Sequence, residues 1–132
     1  EVRLIAESLG SNWLTSDAKK HDQAVALISH LPVLISAALL NTNLENGKNN
    51  EELELARKIA SSGFIDTTRV GGGNPKLGVD MASNNSESIL SMLHSYKISL
   101  DRFQSMIEQK EWDELFKALE NARVIRNKYI NQ

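Results

Sequence analysis

A long apolar stripe near the C-terminal end constrains the fold of this chain more than any other feature of its sequence. Between residues 89 and 107 the apolar side chains recur at alternating steps of four and three, which places them on one face of a long helix. A second stripe begins at Trp112. The two stripes comprise Ile89, Leu93, Tyr96, Leu100, Phe103 and Ile107, and then Trp112, Leu115, Phe116, Leu119 and Ala122. Because the link Gln109-Lys110-Glu111 is so short, the two helices are expected to form an antiparallel αα-hairpin.

Helix-period spacing recurs along almost all of the remaining sequence, which contains only two prolines. We therefore predict an all-α fold with about six helices. The length of 132 residues fits one domain, residues 1–132, and leaves no room for a separate cofactor domain. The first helix, Glu1 to Leu9, is expected to end at Gly10, since glycine readily adopts the left-handed conformation of a helix stop.

The second helix is predicted to be long and kinked. Ser16 or Asp17 can cap its first turn, because a short oxygen-bearing side chain accepts from the free amides there. The helix runs to Leu40 and includes Pro32, which has no amide hydrogen to give to the carbonyl of Ile28. A kink is therefore expected, with a free backbone acceptor near the kink.

The middle of the sequence carries most of its helix breakers. Asn41 to Asn50 is predicted to be a loop, and Glu51 to Ser62 a helix that Gly63 ends. The inward face of that helix is predicted to hold Leu53, Ala56, Ile59 and Ala60. Five of the seven glycines lie between residues 63 and 78, and Gly63 to Asn74 is predicted to be one irregular segment.

Asn74 and Pro75 form a cap and first-turn pair that begins a further helix. That helix is expected to be short, because Gly78 and the cluster Ser83-Asn84-Asn85-Ser86 interrupt it.

Charge and composition exclude several classes of partner. Fifteen Lys and Arg against 17 Asp and Glu give a net charge of −2, so no basic excess is available for nucleic acid. The absence of cysteine excludes disulfides and thiolate sites and fits a reducing compartment, and we expect a cytoplasmic protein. The most apolar run, Ala24 to Leu40, is interrupted by Ser29, His30 and Pro32. We expect it to be a buried helix and no membrane partner.

His30 is the most prominent candidate for a binding residue. An imidazole in an otherwise apolar helix must find polar partners, because burial without them is costly. One interpretation is a core histidine bonded to the carbonyl that Pro32 frees. The other is a donor to a small anionic or hydroxylated ligand.

Arg69 is the second candidate, and it lies in the glycine-rich segment. A guanidinium beside approachable backbone amides suits a carboxylate that binds bidentately. The alternative is an ion pair with Asp66 that holds the loop. Since surface pairs contribute only about 0 to 1 kcal/mol, that alternative explains the surrounding glycines poorly, and we favour ligand binding.

The run Gly71-Gly72-Gly73 lacks the fingerprint of a dinucleotide loop, because Lys76 occupies the position of the third glycine. These glycines are expected instead to permit close approach of backbone to backbone or to ligand. His21-Asp22 resembles the metal-binding pair of metal-dependent phosphohydrolases but lacks their upstream histidine, so no metal site is predicted. No nucleophile motif for acyl transfer is present, and the residues alone indicate a ligand-binding helical domain.

Two stretches resemble the C-terminal domain of the prephenate and arogenate dehydrogenases of tyrosine biosynthesis. The first runs from His21-Asp22 to Ser-His-Leu-Pro32, and the second is Gly63-Phe-Ile-Asp-Thr-Thr-Arg69. Both occur in the order of the family, and the hairpin after them also matches. The resemblance implies a helical dimerisation domain of the 6-phosphogluconate-dehydrogenase C-terminal-like type, and a homodimer.

In that family an N-terminal nucleotide-binding domain binds NAD or NADP and supplies the histidine that takes the hydroxyl proton during oxidative decarboxylation. This chain has neither the glycine fingerprint nor that histidine, and it opens Glu1-Val2 without an initiator Met. We therefore expect it to be the second half of a longer enzyme, inactive by itself and without a catalytic residue of its own. What the resemblance implies for these residues is substrate binding, by Ser29, His30, Arg69, Gly72 and Gly73.

Two departures from the family bear on the substrate. Val33 stands where many members have a second histidine, and Ile65 where many have an arginine. Fewer cationic or donor groups fit a keto-acid side chain less well, so arogenate is expected over prephenate. Two competing functions remain: a non-catalytic helical dimerisation or interaction module, and a phosphate-binding protein that would bind anions at Gly71 to Gly73.

Overall fold

The computed structural model describes residues 1–45 and 50–130, and every regular element in them is helical. The chain divides into two compact units, Glu1–Met92 and Leu93–Gln132. The helices are α1 (Val2–Ser8), α2 (Ala18–Val25), a π-helical turn (Ala26–His30), α3 (Leu31–Glu45), α4 (Asn50–Ile59), α5 (Ser62–Thr68), α6 (Pro75–Asn84), α7 (Ser86–Glu108) and α8 (Trp112–Ile130). The all-α prediction is confirmed, although the helices exceed the six expected.

The helix stops and caps that rest on local chemistry are confirmed. Gly10 has a φ of 70°, and the amide of Ser11 donates to the carbonyl of Ala6 in the manner of a Schellman stop. Asp17 caps α2, because its carboxylate accepts from the amide of Lys20 at 2.9 Å.

Helices α2 and α3 form one continuous helix through the π turn. The interruption expected at Pro32 takes the form of this wider turn, in which the amide of Leu31 donates to the carbonyl of Ala26, five residues back. By length and composition alone Ala18–Thr42 could cross a membrane, with a mean hydropathy of 1.9. Ala26 is 0% and Ser36 2% exposed, but only 17% of the most apolar window of this helix is buried. The predicted buried helix is therefore wrong over most of its length.

The predicted loop between Asn41 and Asn50 is wrong where the structure describes it. Asn41–Glu45 continues α3, and Asn50 begins α4, whereas residues 46–49 lie outside the described residues. Thr42 is accommodated in the helix because its hydroxyl donates to the carbonyl of Leu39 at 2.6 Å. A local hydrogen bond of this kind lets a poor helix former remain helical.

Gly63 is inside a helix and does not end one. Helix α4 ends at Ile59, and the backbone carbonyl of Ser61 accepts from the amides of Phe64 and Ile65 to begin α5. The predicted irregular segment Gly63–Asn74 is therefore irregular only after Thr68, because α5 occupies its first half. Gly78 likewise lies within α6 and does not interrupt it.

The start of α6 follows the prediction made from Asn74 and Pro75. The side chain of Asn74 accepts from the amide of Lys76 at 2.9 Å, and Pro75 occupies the first turn. Helix α6 then ends at Asn84, with Asn85 as its C-cap, as expected from the polar cluster there.

The hairpin prediction is confirmed in the second unit, which contains α8 and the part of α7 from Leu93 onward. Their link contains Lys110, which has a φ of 57° and is the one non-glycine residue with positive φ in the described part of the chain. The amide of Glu111 donates to the carbonyl of Met106 at 2.8 Å across this stop. The two helices leave a hollow of about 270 Å³ between them, lined in part by Phe103 and Ala118.

The apolar faces of the helices are mostly uncovered. Across the described residues the buried apolar side chains are Ala26, Leu31 and Ile89. The inward face predicted for α4 is wrong, since Ile59 is 70% exposed and this face opens into a hollow of about 250 Å³. Amphipathic patterning predicted the helices but not which of their faces this chain covers by itself.

Candidate functional site

The π turn carries the first two predicted site residues. Ser29 is exposed and His30 is half-buried at its end. Single π turns inside α-helices occur frequently at functional sites, because the wider turn alters the direction of the side chains it carries. The polar pair Ser29-His30 in an apolar helix therefore lies where the helix is least regular.

His30 has a side-chain neighbour from a distant part of the sequence. Asn85 Nδ2 lies 3.4 Å from His30 Nδ1 and donates to the carbonyl oxygen of Asp22 at 2.7 Å. Asn85, which lies between α6 and α7, thus contacts two residues of the long helix, Asp22 and His30. The core-histidine interpretation, which required the carbonyl freed by Pro32, is replaced by a contact with this amide.

The turn after α5 carries the other three predicted residues. Arg69 is the C-cap of α5 and is exposed, and residues 69–72 form a turn that leads to α6. Within the described residues no carboxylate forms an ion pair with Arg69, so the alternative pairing with Asp66 is absent. Its guanidinium therefore remains available to a ligand.

Gly71 fixes this turn onto α3. Its amide donates to Ser36 Oγ at 2.8 Å, and Ser36 is buried in the middle of α3. A Cβ atom on Gly71 would lie 2.6 Å from Ser36 Oγ and closer still to the amide nitrogen of Ala37. The expected close approach of backbone to backbone is confirmed at Gly71, whereas a Cβ atom on Gly72 would lie 3.8 Å from the carbonyl oxygen of Arg69, an ordinary contact.

A hollow of about 490 Å³ lies in the first unit between the π turn, α6 and the turn of residues 69–72, here called the glycine turn. Ser29 and Gly73 line it, whereas His30, Arg69 and Gly72 do not. Its remaining walls are mainly apolar and include Val33, Ala37, Val70, Leu77 and Met81. The structure thus brings two of the five predicted residues to one cavity and places the other three on the segments that flank it.

Ser36 and Asn85 are not among the residues predicted for the site. A small polar residue in the apolar run of α3 is a signal that could have singled out Ser36. Asn85 was assigned only to a helix-breaking cluster, and nothing in its neighbours indicates a contact 55 residues away. Among the described residues, no group of three His, Cys, Asp or Glu side chains comes together as a metal site would require.

Within the described residues, the first unit combines a histidine on a π turn with an arginine at a helix end that has no ion pair, and many large apolar side chains of the chain are exposed. Residues 17–121 match the family described as the dimerization domain of prephenate dehydrogenase. The match covers most of the chain, and the chain belongs to that family.

Individual relatives agree with this family. The chain is similar to the prephenate dehydrogenase of Bacillus subtilis, at 23% identity over 128 residues, which cover 96% of this chain and 33% of that protein. Among solved structures it is similar to Synechocystis arogenate dehydrogenase, with a TM-score of 0.92 and 43% identity over 98% of this chain and 46% of the other. The fold also matches prephenate dehydrogenase from A. aeolicus in complex with hydroxyphenyl propionate and NAD+, with a TM-score of 0.85, 24% identity and coverage of 97% and 44%. The chain therefore spans between a third and a half of the length of these relatives.

Proposed function

We propose that this chain is the C-terminal, substrate-binding and dimerising part of an NAD(P)-dependent dehydrogenase that oxidatively decarboxylates arogenate, with prephenate as the alternative substrate. The observation that carries the proposal is the 43% identity to Synechocystis arogenate dehydrogenase over 98% of this chain, at a TM-score of 0.92. The departures at Val33 and Ile65 favour the same substrate, because both remove a cationic or donor group that a keto acid would use. A cytoplasmic location is part of the proposal.

In this proposal Arg69 binds a substrate carboxylate. The side chain is exposed and has no ion pair within the described part of the chain, so its planar donor fork is free to bind both carboxylate oxygens. Gly71 holds the turn against α3, which limits the positions that Arg69 can occupy. Ser29 and His30 on the π turn, and Gly72 and Gly73 beyond Arg69, complete the proposed substrate-binding set.

The residues of this chain do not fit the nucleotide cofactor. The first glycine of Gly71-Gly72-Gly73 directs its amide at Ser36 and its α-carbon at α3, so it cannot cradle a phosphate. The same contact argues against the phosphate-binding alternative. We propose that NADP or NAD is bound mainly by a domain outside this chain, as in the family, and that residues there select between them.

The proposed homodimer rests on apolar surface that the chain leaves uncovered. Leu100, Ile107, Phe116 and Leu119 belong to the two hairpin stripes, and each is more than half exposed. Stripes of this extent on a small domain favour association through a symmetric interface. The name of the family, a dimerization domain, supports the same proposal.

The test is steady-state kinetics of the full-length protein that contains this chain, with arogenate and prephenate, each with NADP+ and NAD+. Replacing Arg69 with Ala should lower the affinity for substrate about 10- to 150-fold, which corresponds to roughly 1.5 to 3 kcal/mol for a charge-assisted contact. The melting temperature should change little, because Arg69 has no partner within the described residues.

Arg123→Ala is the matched control, because it removes the same kind of side chain from α8, where the guanidinium pairs with Glu120 at 2.6 Å. We expect that variant to keep the KM of the parent. An unchanged arogenate KM and kcat/KM in a folded Arg69→Ala protein would exclude the carboxylate assignment. Absence of turnover with every pair of substrate and nucleotide would favour the non-catalytic dimerisation module.

A further inference from the structure

The contact between Asn85 and His30 defines the hydrogen-bonding state of the imidazole. A backbone carbonyl oxygen only accepts, so the atom of Asn85 that lies 2.7 Å from the Asp22 oxygen is the amide nitrogen. That nitrogen carries two hydrogens, and one of them is donated to the carbonyl oxygen of Asp22. The same nitrogen lies 3.4 Å from His30 Nδ1, so the second hydrogen can point at this ring atom.

A ring nitrogen that accepts a hydrogen bond carries no proton. In a neutral imidazole one nitrogen is a donor and the other an acceptor, and the partner of one nitrogen decides which is which. We propose that Asn85 is a positioning residue that holds His30 in the tautomer with its proton on Nε2. The next step rests on the proposed function: in this tautomer, Nε2–H of His30 is the donor to an oxygen of the substrate.

The fold holds Asn85 from both sides. Its amide donates to the carbonyl of Met81 at the end of α6, and its carbonyl accepts from the amide of Ile89 in the first turn of α7, each at 3.1 Å. A residue whose backbone belongs to both helix ends has little freedom to move. The hydrogen bond from its side chain to the Asp22 carbonyl then limits where the amide group can lie.

The long helix presents both partners to the same amide. Asp22 and His30 are about 12 Å apart along an α-helical axis, but helical carbonyls point toward the C-terminal end and side chains lean toward the N-terminal end. The Asp22 oxygen also accepts from the amide of Ala26, the first residue of the π turn. A carbonyl oxygen has two lone pairs, so it can accept from Ala26 and Asn85 together.

The direct test is ¹⁵N NMR of the histidine rings in the full-length protein at neutral pH, with His30→Gln used to assign the signals. The chemical shift of a ring nitrogen differs strongly between its protonated and unprotonated forms. We expect His30 with Nδ1 unprotonated and Nε2 protonated. Signals with the proton on Nδ1 would overturn the proposal.

Asn85→Asp reverses the proposed contact. A carboxylate only accepts hydrogen bonds, so Nδ1 should then carry a proton. Asn84→Asp is the matched control, because it adds the same charge one residue earlier, where the side chain donates to the Asp80 carbonyl at 2.7 Å and does not contact His30. The proposal fails if the His30 signals of Asn85→Asp equal those of the parent, or if Asn84→Asp moves them as much.

Kinetics separate this proposal from the proposed function. If His30 binds substrate through Nε2–H, Asn85→Asp should raise the arogenate KM about tenfold, about as much as His30→Gln, while Asn84→Asp keeps the parent value. A reversed tautomer with an unchanged KM would support the role of Asn85 and exclude His30 from substrate binding. Should Asn85→Asp fold poorly, the signals of the parent protein alone decide the proposal.

Discussion

The glycine turn of the first unit and the hairpin of the second unit use their small and apolar residues in opposite ways. In the turn, Gly71 is pressed against α3, and its amide bonds to a serine that is 2% exposed. In the hairpin, large side chains such as Phe116 and Leu119 are 69% and 55% exposed. The turn is completed by contacts within this chain, whereas the hairpin leaves large apolar side chains exposed, and the proposed dimer rests on that surface.

The largest effect is expected when the turn is broken at Gly71. In Gly71→Ala the new Cβ meets backbone atoms of α3, which cannot move as a side chain can. The free energy of unfolding should fall by about 3 kcal/mol, as overpacking in a fixed site does. Thermal unfolding of the full-length protein measures it. Gly72→Ala is the control, with an expected change within about 0.5 kcal/mol, and equal losses in the two variants would contradict the description of the turn.

A substitution on the exposed face of the hairpin should change the association of the protein and not the stability of its fold. Phe116→Ala removes an exposed apolar side chain, and burial of such a side chain contributes roughly 1.5 to 3 kcal/mol. The dissociation constant of the proposed dimer should therefore rise about 10- to 150-fold for each of the two side chains removed, as measured by sedimentation equilibrium. Lys117→Ala, on the next position of α8, should leave it unchanged. A parent protein that is monomeric at high micromolar concentration would refute the dimer altogether.

Ser36→Ala tests the same turn from the side of α3. The change leaves the amide of Gly71 without its acceptor, and an unpaired buried donor costs about 1 to 3 kcal/mol. Ser83→Ala is the matched serine, since its hydroxyl donates to a carbonyl of its own helix on an exposed surface. We expect thermal unfolding to separate the two variants by at least 1 kcal/mol. Equal melting temperatures would mean that steric fit alone holds the turn.

The smallest effect is a gain of stability at the hairpin link. Lys110 adopts a left-handed conformation that costs a side-chain-bearing residue roughly 1 kcal/mol relative to glycine. Lys110→Gly should therefore raise the free energy of unfolding by about 0.5 to 1 kcal/mol. Lys97→Gly, within α7, should lower it by about 1 kcal/mol. A loss of stability in both variants would contradict the stop described at Lys110.

Local chemistry made much of this fold predictable. Gly10, Asp17 and the pair Asn74-Pro75 act within one turn of their own helices, so their roles follow from the neighbouring residues. The α7 and α8 stripes are predictable for the same reason, because periodicity is a property of one segment. The prediction that Gly63 ends a helix is wrong because glycine also occurs inside helices. Within α5, the carbonyl of Gly63 accepts from the hydroxyl of Thr67.

The contacts that organise the candidate site could not be predicted in the same way. Ser36 and Gly71 are 35 residues apart, and His30 and Asn85 are 55 apart. Each pair depends on how separate helices pack, and no periodicity within one segment encodes that. His30 and Arg69 could be singled out by their residue types, whereas the residues that hold their segments in place required the structure.

The π turn also bears on the angular phase of the long helix. An α-turn closes with a hydrogen bond four residues back, and this π turn with one five residues back, so the π turn takes up one extra residue within a single turn. If one residue between Ala26 and His30 were removed, the segment could close as an ordinary α-turn, and Ser36 would still face Gly71. A single-residue deletion at the π turn should thus be tolerated better than one inside α3, where each residue turns the helix by about 100°.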